Sequence, residues 1–189
     1  MQTMRKTGTK IFSWVLLLLL LAGLLTGCGT NDQENSADGQ RVLRYGSGDY
    51  TAINPALYEH GEINALLFAG LTAHNEKNEV VPGLAEDWSF DEKTCTYTFS
   101  LRDGLTFHDG EPLTSADVKF TLEAILDEQN GSEIVSNYTD IAEIRCPDAL
   151  TVEIRLTQPN AAFPDYMTIG ILPEHLLAGK DLTTCEFNQ

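Results

Sequence analysis

The stretch of residues 95–120 constrains the fold of this chain most strongly, because its hydrophobic pattern changes from that of a strand to that of a helix. Apolar and polar side chains alternate strictly over residues 95–102, which is the period of a half-buried β-strand. Asp103-Gly104 ends this strand with a tight turn, since glycine readily takes a positive φ. The predicted inner face of the strand comprises Cys95, Tyr97, Phe99 and Leu101.

The second half of this stretch predicts a capped helix. Leu105 and Phe107 first resume the alternation as a short strand. Thr114 is then a typical N-cap residue, and Asp117 completes a variant of the capping box with Asp in place of Glu. The carboxylate of Asp117 also suits the positive end of the helix. The apolar face that follows comprises Val118, Leu122, Ile125 and Leu126.

Residues 141–157 predict a β-hairpin with its turn at Pro147-Asp148-Ala149. Together with strand 95–101 it gives an antiparallel sheet, one face of which the helix after Thr114 covers. Two further helices are expected, one over residues 62–71 and one that begins at Pro173. The first helix has a predicted apolar side of Ile63, Leu66, Leu67 and Gly70, and residues 169–172 predict a short strand between the two helices. The fold class is therefore mixed α/β, of the α+β kind.

Residues 1–27 predict a lipoprotein signal peptide. Three basic residues precede a stretch, 11–25, that is almost wholly apolar but short for a membrane span of roughly 20 residues. The sequence Leu25-Thr26-Gly27-Cys28 then resembles a bacterial lipobox, which makes Cys28 the expected site of lipid attachment. An uncleaved membrane anchor is the alternative. Residues 28–40 are polar and predict a disordered tether.

The charge of the chain excludes nucleic acid as a partner. The formal net charge is −16, and removal of the signal peptide takes away three of the 12 basic residues and none of the 28 acidic ones, which leaves −19. Such a chain offers no basic face to neutralise phosphates. The acidity favours a well-solvated surface.

Catalytic and metal motifs are sparse, and neither a catalytic nor a metal site is expected. His108-Asp109 could pair as an acid–base couple, but a carboxylate before Gly110 more often bonds to its own turn. The four histidines are scattered, and neither GxSxG nor HExxH occurs. Cys95, Cys146 and Cys185 form no CxxC pair. A Cys95–Cys146 disulfide is one hypothesis, motivated by export, and buried free thiols are the alternative.

The run from Leu84 to Glu123, LAEDWSFDEKTCTYTFSLRDGLTFHDGEPLTSADVKFTLE, closely resembles the signature of the family 5 solute-binding proteins. These are extracytoplasmic peptide, dipeptide and nickel receptors of ABC importers. The resemblance implies a periplasmic-binding-protein-like class II fold. Residues 41–58 would be the first segment of lobe I, residues 59–168 domain II, with the signature at 83–123, and residues 169–189 the start of the return to lobe I. The chain is then expected to be an N-terminal portion that lacks the C-terminal lobe.

The same resemblance implies the function of a substrate-binding component, without enzymatic activity or cofactor. The expected partners are a peptide ligand, the transmembrane permease subunits and the membrane through a lipid anchor, with the chain a monomer at the outer face of the cytoplasmic membrane. The loop over residues 46–61 would line the ligand cleft, although on the residues alone it is an ordinary surface connection. Nickel or nickel-chelate binding is the alternative within the family, and an exported hydrolase or a structural lipoprotein are alternatives outside it. The ligand-contact residues implied are Gly48, Asp49, Tyr50, Tyr58, Glu59 and His60.

Overall fold

The computed structural model describes residues 44, 46, 53–58 and 61–188. The chain divides into two compact units, residues 1–45 and residues 46–189, and all but one of the described residues belong to the second unit. The predicted signal peptide, Cys28 and the predicted tether lie outside the described residues.

The second unit is a mixed α/β structure built on an antiparallel sheet, as the sequence predicts. Four strands lie in the order β3-β4-β6-β5, and β1 and β2 form a separate antiparallel pair. Three short 3₁₀ turns complete it at Glu128–Asn130, Val135–Asn137 and Glu186–Asn188. The elements are α1 (Gly61–Leu67), β1 (Thr72–His74), β2 (Val80–Pro82), β3 (Ala85–Asp91), β4 (Thr96–Leu101), α2 (Ser115–Leu126), β5 (Ile141–Asp148), β6 (Thr151–Leu156), α3 (Phe163–Tyr166) and α4 (Glu174–Leu177).

The centre of the sheet confirms the predicted alternation. Tyr97, Phe99 and Leu101 of β4 are buried, and Phe99 pairs across the sheet with Val152 of β6. Helix α2 packs against β5 and β6 through the predicted apolar face, on which Val118 is fully buried. An aromatic group extends this core, with Trp88, Phe90, Tyr97, Phe99 and Phe163 in ring contact.

The predicted capping box at the start of α2 is present and does more than close that helix. The hydroxyl of Thr114 accepts from the amide of Ala116 at 3.3 Å, and Asp117 Oδ2 accepts from the amide of Thr114 at 2.8 Å. The other oxygen, Oδ1, accepts from the amide of Glu174 at 3.0 Å. One buried carboxylate therefore fastens the first turns of both α2 and α4.

Helix α1 is shorter than predicted. It ends at Leu67 rather than at residue 71, and Leu66 and Leu67 are 49% and 39% exposed instead of packing as an apolar side. Beyond the helix, backbone groups form hydrogen bonds with distant segments instead. The amide of Thr72 donates to Met167 O at 3.2 Å, and the amide of Leu84 donates to Gly70 O at 2.9 Å. These bonds replace the next helical turn.

Several smaller predictions are also wrong in detail. Residues 169–172, predicted as a short strand, form no strand, whereas residues 72–74 and 80–82, for which no strand was predicted, pair as β1 and β2. The predicted strand at Leu105 and Phe107 is reduced to a single bridge between Thr106 and Pro112. The turn of the hairpin falls after Asp148, because β5 extends to that residue.

The three described cysteines are free, so the Cys95–Cys146 disulfide hypothesis is wrong. Cys95 adopts a positive φ of 53° just before β4, and Cys146 lies on β5. Strand β6 separates β4 from β5, and two strand spacings of about 5 Å each exceed the Cα separation of a disulfide. The thiol of Cys146 instead donates to Ser115 O at 3.1 Å.

Candidate functional site

Only one of the predicted ligand-contact residues falls within the described part of the chain. Tyr58 follows a buried turn at residues 54–57, whereas Gly48, Asp49, Tyr50, Glu59 and His60 lie outside the described residues. Their role therefore stays a prediction. Tyr58 lines a cavity of about 690 Å³, which is the candidate site.

The turn before Tyr58 is held by its own side chain and by a distant segment. Asn54 is fully buried, its Oδ1 accepts from the amide of Ala56 at 3.0 Å, and its carbonyl accepts from the amide of Tyr58 at 3.1 Å. The hydroxyl of Ser132 donates to Ala56 O at 2.6 Å, and the amide of Glu133 donates to Leu57 O at 2.9 Å. This fixes Tyr58 at the cavity wall.

Close backbone crossings form the back of the cavity. A Cβ atom placed on Gly70 would lie 2.5 Å from Thr168 C, and one on Gly83 would lie 2.6 Å from Gly70 O. Both distances are shorter than any ordinary Cβ contact, so these positions need glycine. Gly170, also in the lining, likewise has no room for a Cβ against Phe68.

The polar groups of the wall are mostly used within the protein. The hydroxyls of Thr72, Tyr138 and Thr168 donate to the backbone carbonyls of residues 164, 166 and 165 at 2.7, 2.6 and 2.9 Å. Burial raises the pKa of Tyr138, so its hydroxyl stays protonated and remains a donor. The wall is otherwise largely aromatic and aliphatic.

The lining contains one carboxylate, that of Asp165, and one imidazole, that of His74, and these two side chains contact each other. His74 Nε2 lies 2.8 Å from Asp165 Oδ1, and both side chains are substantially exposed at the rim. Elsewhere the lining is uncharged. The cavity therefore suits neutral groups better than an isolated ion.

Two shielded side-chain atoms in the described part of the chain lack a hydrogen-bond partner, Asn54 Nδ2 and Asn64 Oδ1. Asn64 lies on α1 and lines the cavity. Sequence reasoning missed this residue, because an Asn inside a short helical pattern carries no signal of its own.

A second groove, of about 460 Å³, lies on another side of α1. It is lined by the three large apolar side chains that are notably exposed on the described surface, Leu66, Leu67 and Leu176. His108 and Asp109 border it. The lining of the groove is mostly apolar, whereas the lining of the cavity contains both apolar and polar side chains.

The suggested His108–Asp109 couple is wrong, and the turn interpretation of Asp109 is confirmed. Asp109 Oδ1 accepts from the amide of Glu111 at 3.1 Å, as expected of a carboxylate before Gly110. Its other oxygen lies 2.8 Å from His175 Nε2. Within residues 61–188 and the shorter described pieces, no three His, Cys, Asp or Glu side chains come together as metal ligands.

The His175–Asp109 contact predicts a specific pH dependence. The hydrogen bond to Asp109 raises the pKa of His175 above 6.5, and the hydrogen bond from His175 lowers the pKa of Asp109 below 3.8. The contribution of His175 is complete below pH 6.5 and is lost as the pH rises through the raised pKa. The contribution of Asp109 is present above pH 3.8 and is lost as the pH falls through the lowered pKa. The contact is therefore strongest between these limits.

An NMR titration of the imidazole protons tests this. The midpoint of His175 should fall in an Asp109→Asn variant and stay unchanged in His108→Gln. Equal midpoints for His175 in the native chain and in Asp109→Asn would contradict the contact.

Comparisons with known proteins give one consistent family. A model described as bacterial extracellular solute-binding proteins, family 5 Middle, matches residues 79–182. An ABC transporter peptide-binding protein of Brucella ovis is 37% identical over 113 residues, which is 59% of this chain and 21% of that protein. The oligopeptide-binding protein AppA of Bacillus subtilis is 28% identical over 98% of this chain and 37% of its own length. The chain thus spans about a fifth to about a third of these relatives.

Solved structures agree with the fold described above. NikZ from Campylobacter jejuni, in complex with Ni(L-His), matches with a TM-score of 0.72 and 38% identity over 75% of this chain and 29% of NikZ. AppA from Bacillus subtilis, in complex with a nonapeptide, matches with a TM-score of 0.69 and 26% identity over 75% of this chain and 30% of AppA. The predicted fold class is therefore confirmed.

Proposed function

The chain belongs to the bacterial extracellular solute-binding proteins of family 5, and from this membership we propose that it serves in the substrate-binding component of an ABC importer. It captures oligopeptides or dipeptides outside the cytoplasmic membrane and passes them to the permease. The names of the Brucella ovis and Bacillus subtilis relatives, which bind peptides, support this assignment. The role is one of binding, and the protein acts as a monomer without a cofactor.

The observation that carries the proposal is the cavity beside Tyr58. Ligand sites are concave and mostly apolar, with a few fixed polar groups. The cavity fits this description, with aromatic rings from Tyr58, Phe68 and Tyr138 and the polar side chains of His74 and Asp165. It forms one wall of the binding site, to which the loop with Gly48, Asp49, Tyr50, Glu59 and His60 also contributes.

Lobe organisation and anchoring complete the proposal. Residues 41–58 and 169–189 belong to lobe I, and residues 59–168 form domain II. A hydrogen bond from the amide of Ile53 to Asn188 O, at 3.2 Å, supports the pairing of the two outer segments. Cys28, as the acylated first residue of the mature chain, holds the protein at the outer face of the cytoplasmic membrane. Mass spectrometry of the N-terminal peptide of the mature protein tests whether Cys28 carries the lipid. No helix within the described ranges is long and apolar enough to cross a bilayer.

The chain alone should bind peptide weakly, because a single wall leaves most of a ligand exposed to water. Isothermal titration of residues 29–189 with trialanine should give a dissociation constant of about 1 mM, near −4 kcal/mol. Micromolar or tighter binding would contradict the single-wall arrangement, and a complete lack of binding would contradict the wall itself.

Nickel-chelate binding remains the second candidate, because NikZ, at 38% identity, holds Ni(L-His). The same titration with Ni(L-His) separates the two. Tighter binding of Ni(L-His) than of trialanine would favour the nickel chelate, and the reverse order favours peptides.

A further inference from the structure

The sequence contains one Asn-Gly pair, Asn130-Gly131, which lies shortly after the C-terminal end of α2. Asparagine before glycine is chemically labile, because glycine has no side chain to keep its backbone nitrogen away from the preceding side chain. The backbone nitrogen of Gly131 attacks Cγ of Asn130, a new C–N bond forms, and the bond between Cγ and Nδ2 breaks. Nδ2 leaves as ammonia and carries away the proton of the Gly131 amide. Water then opens the cyclic imide and leaves aspartate or isoaspartate at position 130.

The structure holds both reacting groups in other hydrogen bonds. Asn130 is the last residue of the 3₁₀ turn Glu128–Asn130, and its Nδ2 donates to Ala124 O at 2.9 Å. The amide of Gly131 donates to Glu128 O at 3.3 Å. Both groups must be released before the nitrogen can attack Cγ, so the closed turn protects Asn130.

The same turn opens easily. A single 3₁₀ turn has few hydrogen bonds of poor geometry, and exposed segments of this kind open at a small cost in free energy. Residues 127–129 and 131 are exposed, and a Cβ placed on Gly131 would meet no atom within 4 Å. The turn is fastened at its start by Asp127, whose Oδ1 accepts from the amide of Gln129 at 2.9 Å. This cap therefore controls how often the turn opens.

Asn137 occupies the same position in another 3₁₀ turn and provides an internal comparison. It is exposed and ends the turn Val135–Asn137, and the next amide, that of Tyr138, donates to Val135 O at 2.9 Å. Tyr138 is buried, and its hydroxyl donates to Tyr166 O at 2.6 Å. The packed side chain of Tyr138 keeps its backbone nitrogen in place, so Asn137 should be inert.

We propose that Asn130 is a site of spontaneous deamidation, at which the protein ages when the turn Glu128–Asn130 opens. An ionised carboxylate cannot donate to Ala124 O, so the product loses the bond that holds residue 130 to α2. The product also adds a negative charge beside Asp127 and Glu128 at the C-terminal end of α2, where the helix dipole disfavours it. The native turn therefore cannot form again in the same way.

The change reaches the candidate site through the two residues that follow the Asn-Gly pair. The hydroxyl of Ser132 and the amide of Glu133 donate to the carbonyls of residues 56 and 57 at 2.6 and 2.9 Å. These bonds fix Tyr58 at the cavity wall. Deamidation at Asn130 therefore loosens the support of Tyr58, whatever ligand the cavity takes.

The test measures conversion at each asparagine. The full chain, kept in a non-ionic detergent, is incubated at mildly alkaline pH, and fragment-ion mass spectrometry of its peptides locates the exchange of NH₂ for OH. Asn130 should convert and Asn137 should not. In urea the conversion of Asn130 should be about tenfold faster or more, because the two protecting hydrogen bonds are lost. Equal rates in urea and in buffer, no conversion of Asn130 in buffer, or equal conversion of Asn130 and Asn137 in buffer would each overturn the proposal.

Variants of the cap separate opening of this turn from general instability. Asp127→Ala should convert Asn130 about fivefold faster, the size expected for the loss of a capping side chain, and Asp127→Asn, which can still cap, should keep the native rate. Asp181→Ala is the matched control, because Asp181 is also exposed and its Oδ1 accepts from the amide of Thr183 at 2.9 Å. An equal acceleration in Asp181→Ala, or none in Asp127→Ala, would contradict the role of the turn.

Hydrogen exchange tests the link to the candidate site. The amides of Tyr58 and Glu133 should exchange faster in the incubated native chain and in Asn130→Asp than in fresh native protein. Asn130→Gln, whose longer side chain does not form the imide readily, should exchange equally before and after incubation. Unchanged exchange at both amides in the deamidated chain would overturn the link between Asn130 and Tyr58.

Discussion

Replacement of Phe99 by alanine is expected to lower the free energy of unfolding by about 3–5 kcal/mol. Phe99 is fully buried at the centre of β4, with the ring centroids of Trp88 and Tyr97 at 6.3 and 6.1 Å and Val152 opposite on β6. Alanine leaves a cavity among rings that are fixed by three strands and cannot collapse into it. The loss is large against a total stability of about 5–15 kcal/mol.

Urea unfolding followed by circular dichroism measures this loss through the shift in midpoint. Thr98→Ala is the matched control, since Thr98 is the next residue of the same strand but points to the opposite, partly exposed face. Its effect should stay below about 1 kcal/mol. Similar losses in the two variants would show that Phe99 is not at the centre of the core.

Replacement of Gly70 by alanine is expected to cost about 3 kcal/mol or more, at the upper end of overpacking effects. The new Cβ would lie 2.5 Å from Thr168 C and 2.6 Å from Met167 O. Both are backbone atoms, so no change of rotamer relieves the contact. The two chain segments must move apart, which strains the hydrogen bond from the amide of Thr72 to Met167 O and deforms the back of the cavity.

Thermal unfolding of Gly70→Ala should therefore show a lower Tm together with weaker trialanine binding. Gly46→Ala provides the comparison, because a Cβ at Gly46 meets no atom within 4 Å. That change should alter stability by less than about 1 kcal/mol. An equal fall in Tm for both variants would show that the loss of a glycine, and not the close backbone contact at Gly70, causes the effect.

Local patterns predicted the parts of the fold that depend on neighbours in sequence. The alternation around Phe99 predicted β4, and the spacing of Thr114 and Asp117 predicted the cap of α2. The family-like run over residues 84–123 predicted the fold class, which the solved relatives confirm. In each case the decisive interactions span a few residues or one strand pairing.

The parts that failed depend on contacts between distant segments. The end of α1 is set by bonds from residues 70–72 to residues 84 and 167, and the partner of Asp109 is His175, 66 residues further on. The cavity joins the turn at Tyr58, helix α1, strand β1 and the segment after α3. Contacts between distant segments leave no periodic pattern in the sequence, so the sequence did not predict that Asn64 lines the cavity.

The shared carboxylate of Asp117 makes the two ends of residues 114–174 a single cooperative unit. Helix α4 has four residues, too few to be stable alone, and its first amide is held by Asp117 while the amide of Leu172 donates to Thr121 Oγ1 at 2.9 Å. The native conformation of residues 172–177 therefore depends on α2 through these two hydrogen bonds.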